Sequence, residues 1–255
     1  MTYRTIEYRK KEHVGLIKFR EDIAKTEDLA RLRDEIYEVS TIVSAEADLW
    51  LAVLMGIGTL SNFLVSSSEH LGFRYKEEIV TPSLAESVAA IEKPVIAGIE
   101  GVAMDQCLEL ILSCDIRIAT EKSRFGLSQL EKGTFPMDGG TQRLPRLVGK
   151  GKALEMLLTG ETIDAQEAYR IGLLNRVVAE NVLERTVMEI AKEMASKSPT
   201  ALRYAKEAIN AGLDLTLQQG LHLEADLYML LHTTSDRKEG IRAFQGRRKP
   251  RFTGE

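Results

Sequence analysis

The chain has 255 residues, 44% hydrophobic and 28% charged, with a formal net charge of −4. That length can bury one sizeable core with a small appendage, and the composition excludes intrinsic disorder and fibrous repeats. The weakly acidic balance lacks the basic field that nucleic-acid binding needs.

Two cysteines, Cys107 and Cys114, lie in an apolar stretch without C-x-x-C spacing. This argues against a zinc ribbon or a disulfide scaffold, and predicts buried thiols in a reducing compartment with no metal site. Met1 to Arg4 leads into charged sequence rather than an apolar signal segment. No run approaches the roughly 18 apolar residues of a membrane helix. A cytoplasmic protein is expected.

In chain order, Thr5 to Arg9 and Val14 to Phe19 read as two strands joined at Lys10 to His13. Leu29, Leu32, Ile36 and Val39 recur at helical spacing, predicting an amphipathic helix over Glu27 to Val39. Leu49 to Met55 is a continuous apolar run, as in a strand covered on both faces. Pro82 to Ile91 reads as a short helix, Pro94 to Ile99 as a buried strand, Met104 to Ser113 as a helix and Asp115 to Ala119 as a strand. This alternation predicts an α/β layer. After Gly140 the periods are helical almost throughout, over Leu144–Val148, Ala153–Leu158, Ala165–Ile171, Val182–Ser196, Thr200–Ala211 and Leu217–Leu231; only Asn175 to Val178 looks extended. Two parts are expected: an α/β core over 1–180 and a helical region over 181–255.

Two motifs carry little. Gly56-Ile57-Gly58 follows a strand, but Ser61 stands where a dinucleotide fingerprint needs its third glycine, and a loop is the better reading. Ser66 to His70 gathers hydroxyls, a carboxylate and an imidazole without a nucleophile elbow, so it reads as a polar loop.

The informative stretch runs from Glu92 to Val178. It holds Lys93 to Gly101, the helix entry near Asp105, Ser113 to Ala119, Phe125-Gly126, Gly133 to Pro136, DGGTQRLPRLVGK (138–150), Leu158-Thr159-Gly160 and IGLLNRVV (171–178), in that order. This series resembles the crotonase (enoyl-CoA hydratase/isomerase) superfamily. The resemblance implies a spiral of ββα units with a helical C-terminal trimerisation region, often a dimer of trimers. It also implies an acyl-coenzyme A thioester as substrate and no separate cofactor. Two backbone N–H groups are implied as an oxyanion hole for the thioester carbonyl, matched here by Ser67 and Gln106.

By the same resemblance, Glu109 matches the first glutamate of a hydratase pair. Leucines flank it, so desolvation would raise its pKa towards that of a working acid/base; the alternative is a paired or solvated helix glutamate. The second glutamate's position holds Gln129, an amide that cannot carry a proton, and Glu131 stands two residues on. Asp138 falls where some relatives place a working aspartate, and equally well makes a turn or N-cap before its own helix. His70 is a further candidate for the acyl pocket. The family's usual glycine triplet is replaced by Asp105-Gln106-Cys107. The basic tail Arg247 to Arg251 reads as a solvated end, with coenzyme phosphates as its implied second use.

The expected activity is reversible hydration of an α,β-unsaturated acyl-CoA through an oxyanion-stabilised enolate, with Glu109 and Asp138 as acid/base groups and Gln129 orienting water or substrate. A double-bond isomerase or a carbon–carbon bond hydrolase of the same superfamily is the alternative. A non-catalytic scaffold or RNA-binding relative is the alternative from another class; the acidic balance and Glu109 count against it, the amide at Gln129 for it.

Overall fold

Strand β3 (Leu51–Met55) is buried along its whole length, and its residues divide by parity. Ala52 and Leu54 enter one core, while Leu51, Val53 and Met55 enter another. That is the two-faced burial which a continuous apolar strand requires. The computed structural model describes residues 3–20, 29–67 and 83–255.

β3 lies inside a six-stranded sheet, ordered β1 (Ile6–Lys11), β2 (Val14–Phe19), β3, β4 (Val95–Ile99), β6 (Ile116–Thr120), β9 (Arg176–Val178). β1 and β2 form an antiparallel hairpin, and every later pairing is parallel. A second sheet pairs β5 (Val102–Met104) in parallel with β7 (Arg124–Gly126), and β7 antiparallel with β8 (Ile163–Asp164). β4 passes directly into β5 and then into helix α4 (Gln106–Leu112); β6 likewise passes into β7. These two turns of the spiral each give one strand to each sheet, which is the ββα repeat.

Helices α1 (Leu29–Ala45), α2 (Ile57–Ser67), α3 (Leu84–Ala89) and α4 follow the first strands; α5 (Gly140–Val148), α6 (Lys150–Thr159) and α7 (Ala165–Arg170) follow β7. The sequence reading has a loop after β3, and there the structure has α2 instead. Its local signal is masked by Gly58, yet that glycine is what lets α2 dock: a Cβ there would sit 2.3 Å from the carbonyl oxygen of Glu100. β5, β7 and β8 also escaped the sequence, since runs of two or three residues carry no period.

Beyond β9 all regular structure is helical: α8 (Leu183–Met194), α9 (Pro199–Gly212), α10 (Leu217–His232) and α11 (Ser235–Gln245). α8 covers the second face of the large sheet with Leu183, Val187 and Ala191. α9 is pinned by Lys206, whose Nζ donates to the carbonyls of Ile91 and Lys93 and pairs with Asp115 at 2.8 Å. The short tail after α11 is held by the buried Asp236, which accepts from Ser198 Oγ and from the N–H groups of Thr253 and Gly254. No helix among the described residues is long and apolar enough to cross a membrane.

Candidate active site

Helix α4 is buried from Cys107 to Leu112, and Glu109 sits inside it with no exposed surface. A carboxylate there needs partners. Oε1 accepts the backbone N–H groups of Asp138 and Gly140, each at 2.8 Å. Oε2 accepts Nε2 of Gln129 at 3.2 Å. The close approach depends on Gly140, because a Cβ there would lie 3.0 Å from Glu109 Oε1.

These contacts pull the acidity of Glu109 in two directions. Burial, the largest influence, disfavours the charged form; the two N–H donors favour it; the carboxylates of Asp138 and Asp105 oppose it again. The balance raises its pKa from 4.5 to about 7. A group titrating there can give and take a proton at neutral pH.

Gln129 opens a 3-10 turn, Gln129–Lys132, and is buried. Its Nε2 is committed to Glu109, whereas its Oε1 is buried with no partner. Buried acceptors are rarely left so, and this one adjoins the raised carboxylate of Glu109. Glu131, on the same turn, is exposed and lies against Gly160.

Asp138 is brought to the site by its backbone, while its side chain faces elsewhere. The carboxylate accepts the hydroxyl of Ser83 and, at 3.0 Å, the N–H of Ala85, at the start of α3. It does not cap its own helix: the N-cap of α5 is Gly139, without a side-chain bond. The N-cap reading is corrected accordingly, while Asp138 does lie in the bend before α5. Asp138 caps a helix 53 residues away in sequence, a relationship no local pattern could carry.

Gln106 is the first residue of α4, where N–H groups have no carbonyl partner within the helix. Ser67 is the last residue of α2. His70 lies outside the described residues. The sequence overlooked Ser83, Ser128 and Gly140; only Gly140 had a signal, in its glycine pair. In the basic tail, Arg248 makes a two-point bond to Glu239, at 2.5 and 2.8 Å, and that pairing lowers the Glu239 pKa to about 2. Among the described residues no cluster of His, Cys, Asp or Glu could hold a metal ion.

The family model for enoyl-CoA hydratase/isomerase matches residues 74–255. A probable enoyl-CoA hydratase of Rhizobium meliloti is 37% identical over 254 residues, 99% of each chain. The 2,3-dehydroadipyl-CoA hydratase of Escherichia coli is 43% identical over 173 residues, 68% of each chain. The crystal structure of an enoyl-CoA hydratase from Bacillus anthracis superimposes with a TM-score of 0.87 at 34% identity, over 99% of this chain and all of the other. The chain therefore belongs to the enoyl-CoA hydratase/isomerase family, with the crotonase fold. It is an enzyme of the hydratase/isomerase type.

Proposed function

We propose that the protein catalyses the reversible addition of water to an α,β-unsaturated acyl-CoA thioester, using Glu109 as its single proton-carrying group. The observation that carries this reading is the buried Glu109 carboxylate, held on two N–H donors with its pKa near 7 and one oxygen turned to Gln129. Relatives named as hydratases of CoA thioesters support it.

In this reading water donates one hydrogen to Glu109 Oε2 and the other to the unpartnered Gln129 Oε1, which leaves a lone pair for the β-carbon. As the oxygen–carbon bond forms, Glu109 takes a proton and the double-bond electrons move to the thioester oxygen. Backbone donors, for which Gln106 and Ser67 are the candidates, stabilise that oxyanion. The enolate then collapses and Glu109 returns the proton to the α-carbon. No cofactor is needed beyond the coenzyme A of the substrate. Asp138 serves as the support of the Glu109 loop rather than as a second acid.

The oligomer belongs to the same proposal. α9 buries none of its residues and α10 only Leu227, while Ile209, Leu217, Leu221 and Phe244 stand exposed. Such apolar faces suit covering by further copies of the chain, and the family resemblance implies a trimer or a dimer of trimers. Two free, buried thiols agree with a cytoplasmic setting.

Incubation with a panel of linear, branched and cyclic enoyl-CoAs, followed by mass spectrometry, tests the reading: products should gain one water. One observation favours a second reading. The amide at Gln129 leaves a single base, and a double-bond shift needs only one base to move a proton between two carbons. Products of unchanged mass with a displaced double bond would select it.

A further inference from the structure

Asp105 occupies a backbone conformation that glycine adopts freely and other residues resist, with φ 51° and ψ −122°. It stands at the N-cap of α4, yet its side chain makes no capping bond. The carboxylate reaches instead to Ser128, 23 residues on. Oδ1 accepts the Ser128 N–H at 2.6 Å, and the Ser128 hydroxyl lies 3.1 and 2.9 Å from the two oxygens. The N–H of Asp105 donates to the carbonyl of Gly126 at 3.1 Å, so a two-point clamp holds the strand exit at 126–128. Lys132 adds a longer ion pair at 3.8 Å.

Both ends of the clamp adjoin the site. Asp105 leads into the helix that carries Glu109, and Ser128 directly precedes Gln129. On the far side, the Gln129 carbonyl is held by the N–H and hydroxyl of Thr134, at 3.0 and 2.9 Å. The bond the clamp governs, Gln129 Nε2 to Glu109 Oε2, is long at 3.2 Å, so a small shift of either segment breaks it.

We infer that Asp105 is a positioning residue, whose bond to Ser128 holds the Gln129 amide against Glu109. The backbone strain at Asp105 is offset by this brace, which a glycine could not make. The inference rests on the proposed function for the reaction it serves, but the geometry of the brace is independent of it.

The test compares Asp105→Gly with Asp105→Asn. Glycine suits this backbone, so Asp105→Gly should fold with an unchanged or higher Tm. Turnover of the enoyl-CoA that the wild type hydrates should nevertheless fall about 10- to 100-fold, the scale expected for a displaced catalytic group, with KM altered less than about threefold. Asparagine tolerates positive φ and keeps an acceptor for the Ser128 N–H, so Asp105→Asn should recover to within about threefold of wild type. Hydrogen exchange of the backbone around Ser128 should quicken in the glycine variant and not in the asparagine one.

Wild-type turnover in Asp105→Gly overturns the inference, as does an Asp105→Asn that is equally slow. Loss of the fold in Asp105→Gly also overturns it, because the brace would then serve the fold rather than the site. A wild type inactive on every CoA thioester defeats the proposed function instead, and exchange at Ser128 still decides whether the brace exists: unchanged exchange in Asp105→Gly overturns it.

Discussion

Asp138 joins two structures with opposite ends of one residue: its N–H donates to Glu109 Oε1 at 2.8 Å, and its carboxylate accepts the N–H of Ala85 at the start of α3. The loop that supports the buried carboxylate of Glu109 is thereby fastened to the start of α3. Support and chemistry can be separated by mutation.

Asp138→Asn should retain turnover within a few-fold, because the amide oxygen still accepts from Ala85 and the amide nitrogen can donate to Ser83 Oγ. Asp138→Ala leaves the Ala85 N–H without its acceptor, with Ser83 still capping α3 through Glu86, and should cost about 1–2 kcal/mol of stability. Steady-state kinetics beside thermal melts checks both, and a hundredfold loss in the asparagine variant would return Asp138 to the mechanism as an acid/base.

Glu109→Gln should lower kcat by a hundredfold or more with KM nearly unchanged, since it removes the proposed proton carrier but keeps the shape. Its oxygen can still accept from Asp138 and Gly140. Its new amide nitrogen then faces Gln129 Nε2, so the Gln129 amide must turn over. Substrate binding measured apart from turnover distinguishes this from a misfolded pocket.

The raised pKa of Glu109 also predicts a pH dependence. The folded state holds this proton more tightly than the unfolded chain, so stability falls as pH rises from about 4.5 to about 7 and then levels. The shift sets a ceiling of about 3 kcal/mol. Melting curves across that window should show a steeper fall for wild type than for Glu109→Gln, which lacks the titrating group. In activity, kcat/KM for hydration should rise with pH along an acid limb centred near 7.

Gln129→Glu sets a second carboxylate where Nε2 now lies 3.2 Å from Glu109 Oε2. Two such groups cannot both ionise easily, so the pair should keep a shared proton to higher pH. The acid limb of the rate profile should therefore leave its wild-type position. An unmoved limb would mean that the two side chains do not meet in solution.

Gly140→Ala tests the close approach. The backbone there needs no positive φ, so the effect is steric: a methyl group 3.0 Å from Glu109 Oε1 must displace the carboxylate or α5. Activity should fall at least about tenfold, in proportion to the displacement of a catalytic group. An alanine variant with wild-type kcat would show that the site accommodates the methyl group without displacing Glu109.

Much of this protein was legible from the chain alone, wherever the physics is local. The apolar runs at Leu51–Met55 and Val95–Ile99 became the doubly buried strands, and the helical periods from Leu183 onwards became α8 to α10. Glu109, flanked by leucines, is the buried and raised carboxylate that its setting implied. What the chain could not show depends on groups distant in sequence and close in space. α2 hides behind a glycine whose purpose is a contact with Glu100, and β5 and β7 are too short to have a period and exist through their pairing with each other. Asp138 looks locally like a cap for α5, yet it caps α3 because Ser83 and Ala85 arrive beside it. Asp105 departs from a glycine pattern in sequence, and only folding sets Ser128 against its carboxylate. Periodicity and burial are written residue by residue; the partner of a buried polar group is chosen by the fold, because a hydrogen bond reaches about 3 Å across space and is indifferent to distance along the chain.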